Sequence, residues 1–210
     1  MKKLLLFVCM FALAVSVSYA HDFGIGIKGG FTQKDTKLDD LKDWAQDNGA
    51  ISTSLDENNG FWGLELFYEH QLNDRAFLGI KAGYEGLGKD ELDFTILPYK
   101  YSLEMTGYVI PLTIYYKYYL TEKVNIWGGG GVAMLFGQLK DNGEKFKEHK
   151  VYPHVDAGVE WRMSPNVGLG LDARYSFSSE IDDFIDVPNL PNPQLDVDGL
   201  SAGVALRLYF

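Results

Sequence analysis

Apolar residues recur at every second position in eight separate segments of this chain. Phe23, Ile25, Ile27 and Phe31 share one parity in the first, and Trp62, Leu64, Leu66 and Tyr68 in the second. Leu78, Ile80, Ala82 and Tyr84 follow, and then Tyr108, Ile110, Leu112, Ile114, Tyr116 and Tyr118. The fifth segment aligns Ile126, Val132, Met134 and Phe136, and the sixth Val155, Ala157, Val159 and Trp161. The seventh aligns Val167, Leu169, Leu171, Ala173, Tyr175 and Phe177, and the chain closes on Leu200, Ala202, Val204, Leu206, Leu208 and Phe210. A period of two is the repeat of a strand whose faces meet different surroundings. Eight antiparallel strands are predicted.

The connections alternate in length. Asn73-Asp74, Thr121-Glu122-Lys123 and Ser164-Pro165-Asn166 are turn-like, whereas about 32–60, 87–102, 139–150 and 179–197 are longer and polar. Short turns at one end and long loops at the other describe an up-and-down barrel of the outer-membrane kind, with the termini on the short-turn side.

A secreted lipocalin-like barrel would share the alternation, so the character of each face has to decide. The charged strand residues fall on the parity opposite the apolar one. Lys28, Lys81, Lys117, Arg162, Arg174 and Arg207 are there, with Glu65, Glu69, Glu85, Asp156, Glu160 and Asp172. Six cations against six anions make a nearly neutral set, and the same face is rich in glycine, which suits a crowded lumen. Aromatics on the apolar face gather at its ends. Trp62, Tyr84, Tyr108, Phe136 and Tyr175 lie toward the long loops, while Tyr116, Trp161 and Phe210 lie toward the turns, as in two interfacial girdles. The apolar face lacks charge over the roughly 9–11 residues a tilted strand needs to cross a bilayer. The expected fold is therefore all-β, an eight-stranded antiparallel up-and-down transmembrane β-barrel with short periplasmic turns and long extracellular loops. Eight strands leave an interior that side chains fill.

Bulk properties sharpen this reading. MKKLLLFVCMFALAVSVSYA has a basic start, an apolar run and a small-residue cleavage pattern, so residues 1–20 are expected to be a secretory signal peptide and 21–210 the barrel domain. The one cysteine, Cys9, lies in that segment, which excludes disulfides and thiolate chemistry from the mature chain. Without Lys2 and Lys3, 17 basic residues face 29 acidic ones, a net charge near −12. That balance argues against nucleic acid as a partner.

Tyr108-Val-Ile-Pro-Leu-Thr-Ile-Tyr-Tyr-Lys-Tyr119, Trp127-Gly-Gly-Gly-Gly-Val132, Val155-Asp-Ala-Gly-Val-Glu-Trp161 and Leu206-Arg-Leu-Tyr-Phe210 together resemble the bacterial outer-membrane β-barrel proteins, most closely the small porin-family barrel domain. The likeness covers the mature chain and implies residence in the outer membrane, contact with its lipid, and passage through the outer-membrane assembly machinery. Val204, Leu206, Leu208 and Phe210 match the terminal assembly signal of such proteins. The resemblance is nearly silent on activity. The leading expectation is a non-enzymatic protein with a lumen plugged by its charges and loops for a protein or matrix partner. A narrow pore or small-solute binder, and a lipid-modifying enzyme, are the alternatives. No cofactor, metal or catalytic residue is expected.

Several motifs invite other readings. Gly24-Ile-Gly-Ile-Lys-Gly29 matches G-x-G-x-x-G but lies within a strand, where a dinucleotide site needs a helix to open. Gly128 to Gly131 lacks the Lys-Ser/Thr of a phosphate loop, and reads as a strand kept thin where Pro111 forces a bulge. His154, Asp156, Asp172 and Arg174 share the inner face, where a satisfied polar lumen outweighs catalysis; His70 faces outward near the turns. Asp182, Asp183, Asp186, Asp196 and Asp198 form an acidic loop with only a fragment of a calcium-binding pattern. Leu38, Leu41 and Trp44 fall at helical spacing, predicting a short amphipathic helix that caps the mouth or touches a partner.

Overall fold

A strand that is apolar on one face and charged on the other satisfies its backbone only by pairing along both edges, and a closed ring gives every strand two neighbours. Eight strands do this in the computed structural model, which describes residues 21–141, 144–182, 184 and 191–210. The expected signal peptide, residues 1–20, lies outside the described residues. The ring runs through β1 (His21–Thr32), β3 (Gly60–Asn73), β4 (Ala76–Leu87), β6 (Tyr99–Tyr119), β7 (Val124–Asp141), β8 (Glu144–Ser164), β9 (Val167–Ser176) and β10 (Gly199–Tyr209). All ring pairings are antiparallel, and β10 closes on β1 with Ile25 opposite Leu208 and Ile27 opposite Leu206. The last residue takes part: the Phe210 N–H donates to the Phe23 carbonyl at 2.8 Å.

The three predicted short turns join β3 to β4, β6 to β7 and β8 to β9. Side chains hold all three: Arg162 Nη1 donates to the Pro165 carbonyl at 2.7 Å in the last. Asn73 Oδ1 accepts from the Arg75 N–H at 3.0 Å, and Thr121 Oγ1 accepts from the Val124 N–H at 3.0 Å.

The opposite end carries more regular structure than the expected loops. The segment 87–102 forms β5 (Asp90–Ile96) and the start of β6, and these two pair. Residues 139–150 continue the β7–β8 ladder out to Asp141 opposite Glu144. The segment 32–60 supplies the predicted helix, α1 (Leu38–Asp47), and β2 (Ser52–Asp56), which pairs with β5. Hydropathy conceals these extensions because both of their faces are polar or shielded by other loops, so the outward apolar signal stops while the strand continues.

Pro111 does not produce the expected bulge. The β6–β7 register runs unshifted through Pro111 opposite Ala133. Instead the β4–β6 pairing is interrupted at Gly83 and Tyr84, beside a proline with no N–H to donate. The observed register shifts lie near the short turns, at Gln71/Asn73 and Arg162/Ser164.

The apolar set faces outward: Ile27, Leu64, Ile114 and Leu171 are each more than half exposed. Among the described residues, the apolar core lies at the loop end. There Leu38, Leu41 and Ala45 of α1 join Leu92 and Phe94 of β5, Met105, Leu135 and Leu139 from the wall, and Ile181 and Leu195 from the last long connection. The wall is notched to receive it. Gly107 and Gly137 are cross-strand partners, and a Cβ at either would lie 2.9 or 3.0 Å from Leu195 Cδ2. Buried Asp90 ties the first loop to β5, accepting from Lys34 Nζ at 2.8 Å, Thr36 Oγ1 at 3.1 Å and the Asn58 N–H at 2.8 Å.

Candidate functional site

Inside the barrel, every second residue of each ring strand points at the axis, so charges far apart in sequence meet. The layer nearest the cap gathers five of them. Arg174 donates to Glu85 at 2.7 Å and to Asp156 at 2.8 Å, Lys28 bonds the same Glu85, and Lys81 lies 3.0 Å from Asp156. The Thr113 hydroxyl joins His154 Nε2, at 2.8 Å, to Asp156, at 3.1 Å.

Toward the short turns Arg207 occupies the centre. Its guanidinium bonds Glu65 at 2.6 Å, Glu160 at 3.2 Å and Asp172. Below it, Lys117 meets Glu69, and the Tyr115 hydroxyl donates to Glu69 at 2.7 Å. The Tyr209 hydroxyl donates to Glu160 at 2.6–2.7 Å, and Lys117 Nζ donates to that hydroxyl at 3.2 Å. At the periplasmic mouth Arg162 bonds Asp22 at 3.0 Å and lies over the Tyr209 ring at 3.3 Å. Every one of the twelve charges predicted for this face is inside and in at least one ion pair. Taking charges out of water costs several kcal/mol each, so their mutual pairing is what permits such an interior.

Aromatic rings separate the layers. Trp127 lies between two cations, with Lys81 Nζ 3.7 Å from its ring centre and the Arg207 guanidinium carbon 5.6 Å away. Glycines make the room. A Cβ at Gly79 would stand 2.3 Å from the Tyr115 ring, and one at Gly170 2.6 Å from Arg207 Nη1. Among the described residues, two lumenal pockets between these side chains hold about 20 and 10 Å³, each the size of about one water.

Sequence parity placed the charges but overlooked the uncharged residues that complete the lattice, namely Tyr115, Trp127, Tyr209, Thr113 and Asn125. The signal was present, since all five share the parity of the charged set. Three of the five are aromatic, so hydropathy alone does not mark them as lumenal.

The expected interfacial aromatics all lie on the outer face. Trp62, Tyr84, Tyr108 and Phe136 form a row across four strands, with ring centres 5.7, 5.3 and 4.6 Å apart, and His149 of β8 extends it at 6.0 Å from Phe136. Tyr175 pairs with Phe177 at 4.9 Å. At the turn end Tyr116 and Trp161 are exposed, and Phe210 stands 6.3 Å from Phe23. Val204, Leu206, Leu208 and Phe210 share the outer face of β10.

The remaining motifs resolve into local structure. Gly24–Gly29 is part of β1. His70 is cross-strand to His21 and Leu78 on the outer face. The Asp196 and Asp198 carboxylates accept from the Ser179 hydroxyl at 3.2 and 2.7 Å, which closes the last loop, and Asp183 and Asp186 lie outside the described residues. At the β7–β8 tip, burial and the charge of Glu144 raise the Asp141 carboxyl above its ordinary value.

Residues 4–207 match the family model described as outer membrane protein beta-barrel domain. Among solved structures, the outer membrane protein OprG of Pseudomonas aeruginosa aligns with a TM-score of 0.53 at 14% identity, covering 91% of this chain and 96% of that one. Ail, the attachment invasion locus protein of Yersinia pestis, in complex with the heparin analogue sucrose octasulfate, aligns with a TM-score of 0.51 at 12% identity, covering 91% and 99%. A major outer membrane protein of Thermus thermophilus aligns with a TM-score of 0.50 at 15% identity, covering 90% and 100%. These identities speak for the fold alone. No curated protein matches the chain significantly.

Proposed function

Because the chain belongs to the outer membrane protein β-barrel domain family, we propose that it is a non-enzymatic surface protein whose lumen is plugged by its own ion pairs and whose capped loop end contacts a partner or matrix. Its setting is established: it is an integral outer-membrane protein that crosses with strands, its apolar face toward lipid. The plug and the partner contact are the proposal.

The observation that carries the plug is the pairing of all six lumenal cations around cavities of only about 20 and 10 Å³. A hydrated ion needs a continuous aqueous path, and here each layer is bridged across the bore by bonds between opposite walls. Arg174 of β9 reaches Glu85 of β4, and Arg207 of β10 links Glu65 of β3 to Glu160 of β8, strands that face each other across the ring. The cap adds an apolar layer above, with α1 in the role expected for a helix over the mouth.

For biogenesis we propose that Val204, Leu206, Leu208 and Phe210 form the terminal signal read by the assembly machinery before β10 closes on β1. These four residues share the lipid-facing side of the closing strand, and the exported chain is inserted after removal of residues 1–20. The partner contact is assigned to the cap because the barrel wall below it is occupied by lipid.

Planar-bilayer recording tests the plug. The folded wild-type protein should show no stepwise conductance, and reproducible steps would overturn the proposal in favour of a narrow pore. Loss of crosslinked surface partners on shortening the connections at 32–60 and 179–197 tests the contact.

A further inference from the structure

On β7 and β8 the outer wall above the aromatic row carries basic residues, bordered by Glu104 of β6 opposite Lys140. Outward residues on β7 and β8 are those of the parity shared by Phe136 and His149. In the β7–β8 extension these are Lys140, Lys145, Lys147 and His149, whereas Asp141, Glu144 and Glu148 fall on the opposite parity with a single lysine, Lys150, which donates to the Glu180 carbonyl at 2.7 Å. A chain with a large acidic excess thus presents one basic strip, and it does so on the side that faces the bilayer.

The strip is not neutralised from within. Lys140 is directly opposite Lys145, and like charges opposed across strands repel. Lys140 finds partial relief from Glu104, at 3.6 Å. Exposed Lys145 and Lys147 make no ion pair among the described residues.

Its height is set by the aromatic row. His149 stacks beside Phe136 at the end of that row, and below it Val151, Pro153 and Val155 continue the apolar face. Lys147 is one two-residue step beyond His149, roughly 7 Å along the strand, and Lys145 one step farther. Strand tilt reduces those climbs to about 5 and 10 Å along the membrane normal. The headgroup layer beyond the hydrocarbon is about 5–8 Å thick on each side. Lys147 falls within that layer and the Lys145 backbone about 2 Å or more beyond it, a gap its four-carbon side chain can span.

We propose that Lys145 and Lys147, flanked by Lys140 and His149, form a docking strip for the phosphate groups of an outer-leaflet lipid headgroup. An ammonium is a compact point charge that pairs well with phosphate. The acyl chains of such a lipid would lie against Val151, Val155 and neighbouring outward residues of the same strands. The proposal depends on the membrane setting but not on whether the lumen conducts.

The test titrates folded protein in neutral detergent micelles with bisphosphorylated lipid A, with dephosphorylated lipid A and with inorganic phosphate, counting bound lipid by native mass spectrometry. Wild type should retain the bisphosphorylated lipid, and K145Q/K147Q should bind it more weakly by about fivefold for each lysine removed. K123Q, which removes a cation from a periplasmic turn, should bind as wild type does. Heat-modifiable electrophoretic mobility confirms that each variant is folded. Equal binding by wild type and the double variant, equal retention of the dephosphorylated lipid, or an equal loss in K123Q would each overturn the proposal. Inorganic phosphate competing as strongly as the lipid would replace a headgroup site with a soluble-anion site.

Discussion

The Lys81 ammonium lies 3.7 Å from the centre of the Trp127 ring while standing 3.0 Å from Asp156 Oδ2. One cation is therefore shared between an ion pair in its own layer and an aromatic face that separates it from Arg207. The lumen is a stack of such shared contacts rather than a set of isolated bridges.

Trp127→Ala should lower stability by about 3–5 kcal/mol, the usual range for a buried aromatic truncated to alanine. The loss includes a desolvated cation–π contact of about 2 kcal/mol. Urea unfolding in micelles, followed by tyrosine fluorescence or electrophoretic mobility, measures it. Trp127→Phe should recover part of the loss, because it retains a ring for Lys81.

Arg174→Met removes the cation that bridges Glu85 and Asp156. Breaking a buried pair from one side typically costs about 3–5 kcal/mol, because the remaining charge stays buried. Lys28 and Lys81 still face the two carboxylates, so the loss should fall at the lower end of that range. Adding Glu85→Gln to Arg174→Met strands Lys28, whose ion pair is with Glu85, so the double variant should be less stable than Arg174→Met, and a double-mutant cycle reads the coupling.

Tyr209 and Phe210 are adjacent but face opposite ways, so their substitutions should fail differently. Tyr209→Phe removes a hydroxyl bonded to Glu160 and Lys117 and should cost about 1–3 kcal/mol while insertion proceeds normally. Phe210→Ala should slow insertion into outer-membrane vesicles supplied with assembly machinery, with a smaller change in the stability of the inserted barrel. Identical behaviour of the two variants would remove the distinction.

Gly137→Val places side-chain atoms where Leu195 and Phe184 meet the wall. Overpacking of this kind costs about 1–3 kcal/mol, and it should be confined to the cap. Hydrogen exchange should quicken at Ile181, Leu195 and α1, while amides of the lipid-facing belt keep their protection.

How much of this could be read from the chain depends on the range of the physics involved. The eight ring strands and the inward or outward aspect of each residue follow from a period of two, which is local. A strand's own residues decide which face is apolar, so Lys28, Arg174 and Arg207 could be placed inside without knowing any partner. The helix at 38–47 was legible for the same reason, from the spacing of Leu38 and Leu41.

Partnership was not legible. Arg174 bonds Glu85 across 89 residues of sequence, and Arg207 bonds Glu65 across 142. Those choices depend on the register of every intervening strand pair and on closure of β10 against β1. The same holds for the cap, where Leu195 seats on Gly107 and Gly137 only because two wall strands bring their glycines side by side. The basic strip at Lys145 and Lys147 combines both ranges. Alternation alone separates its lysines from the acids, but only the aromatic row across β3, β4, β6 and β7 fixes its height at the headgroups. Alternation is a property of one strand; register, depth and pairing belong to the closed barrel.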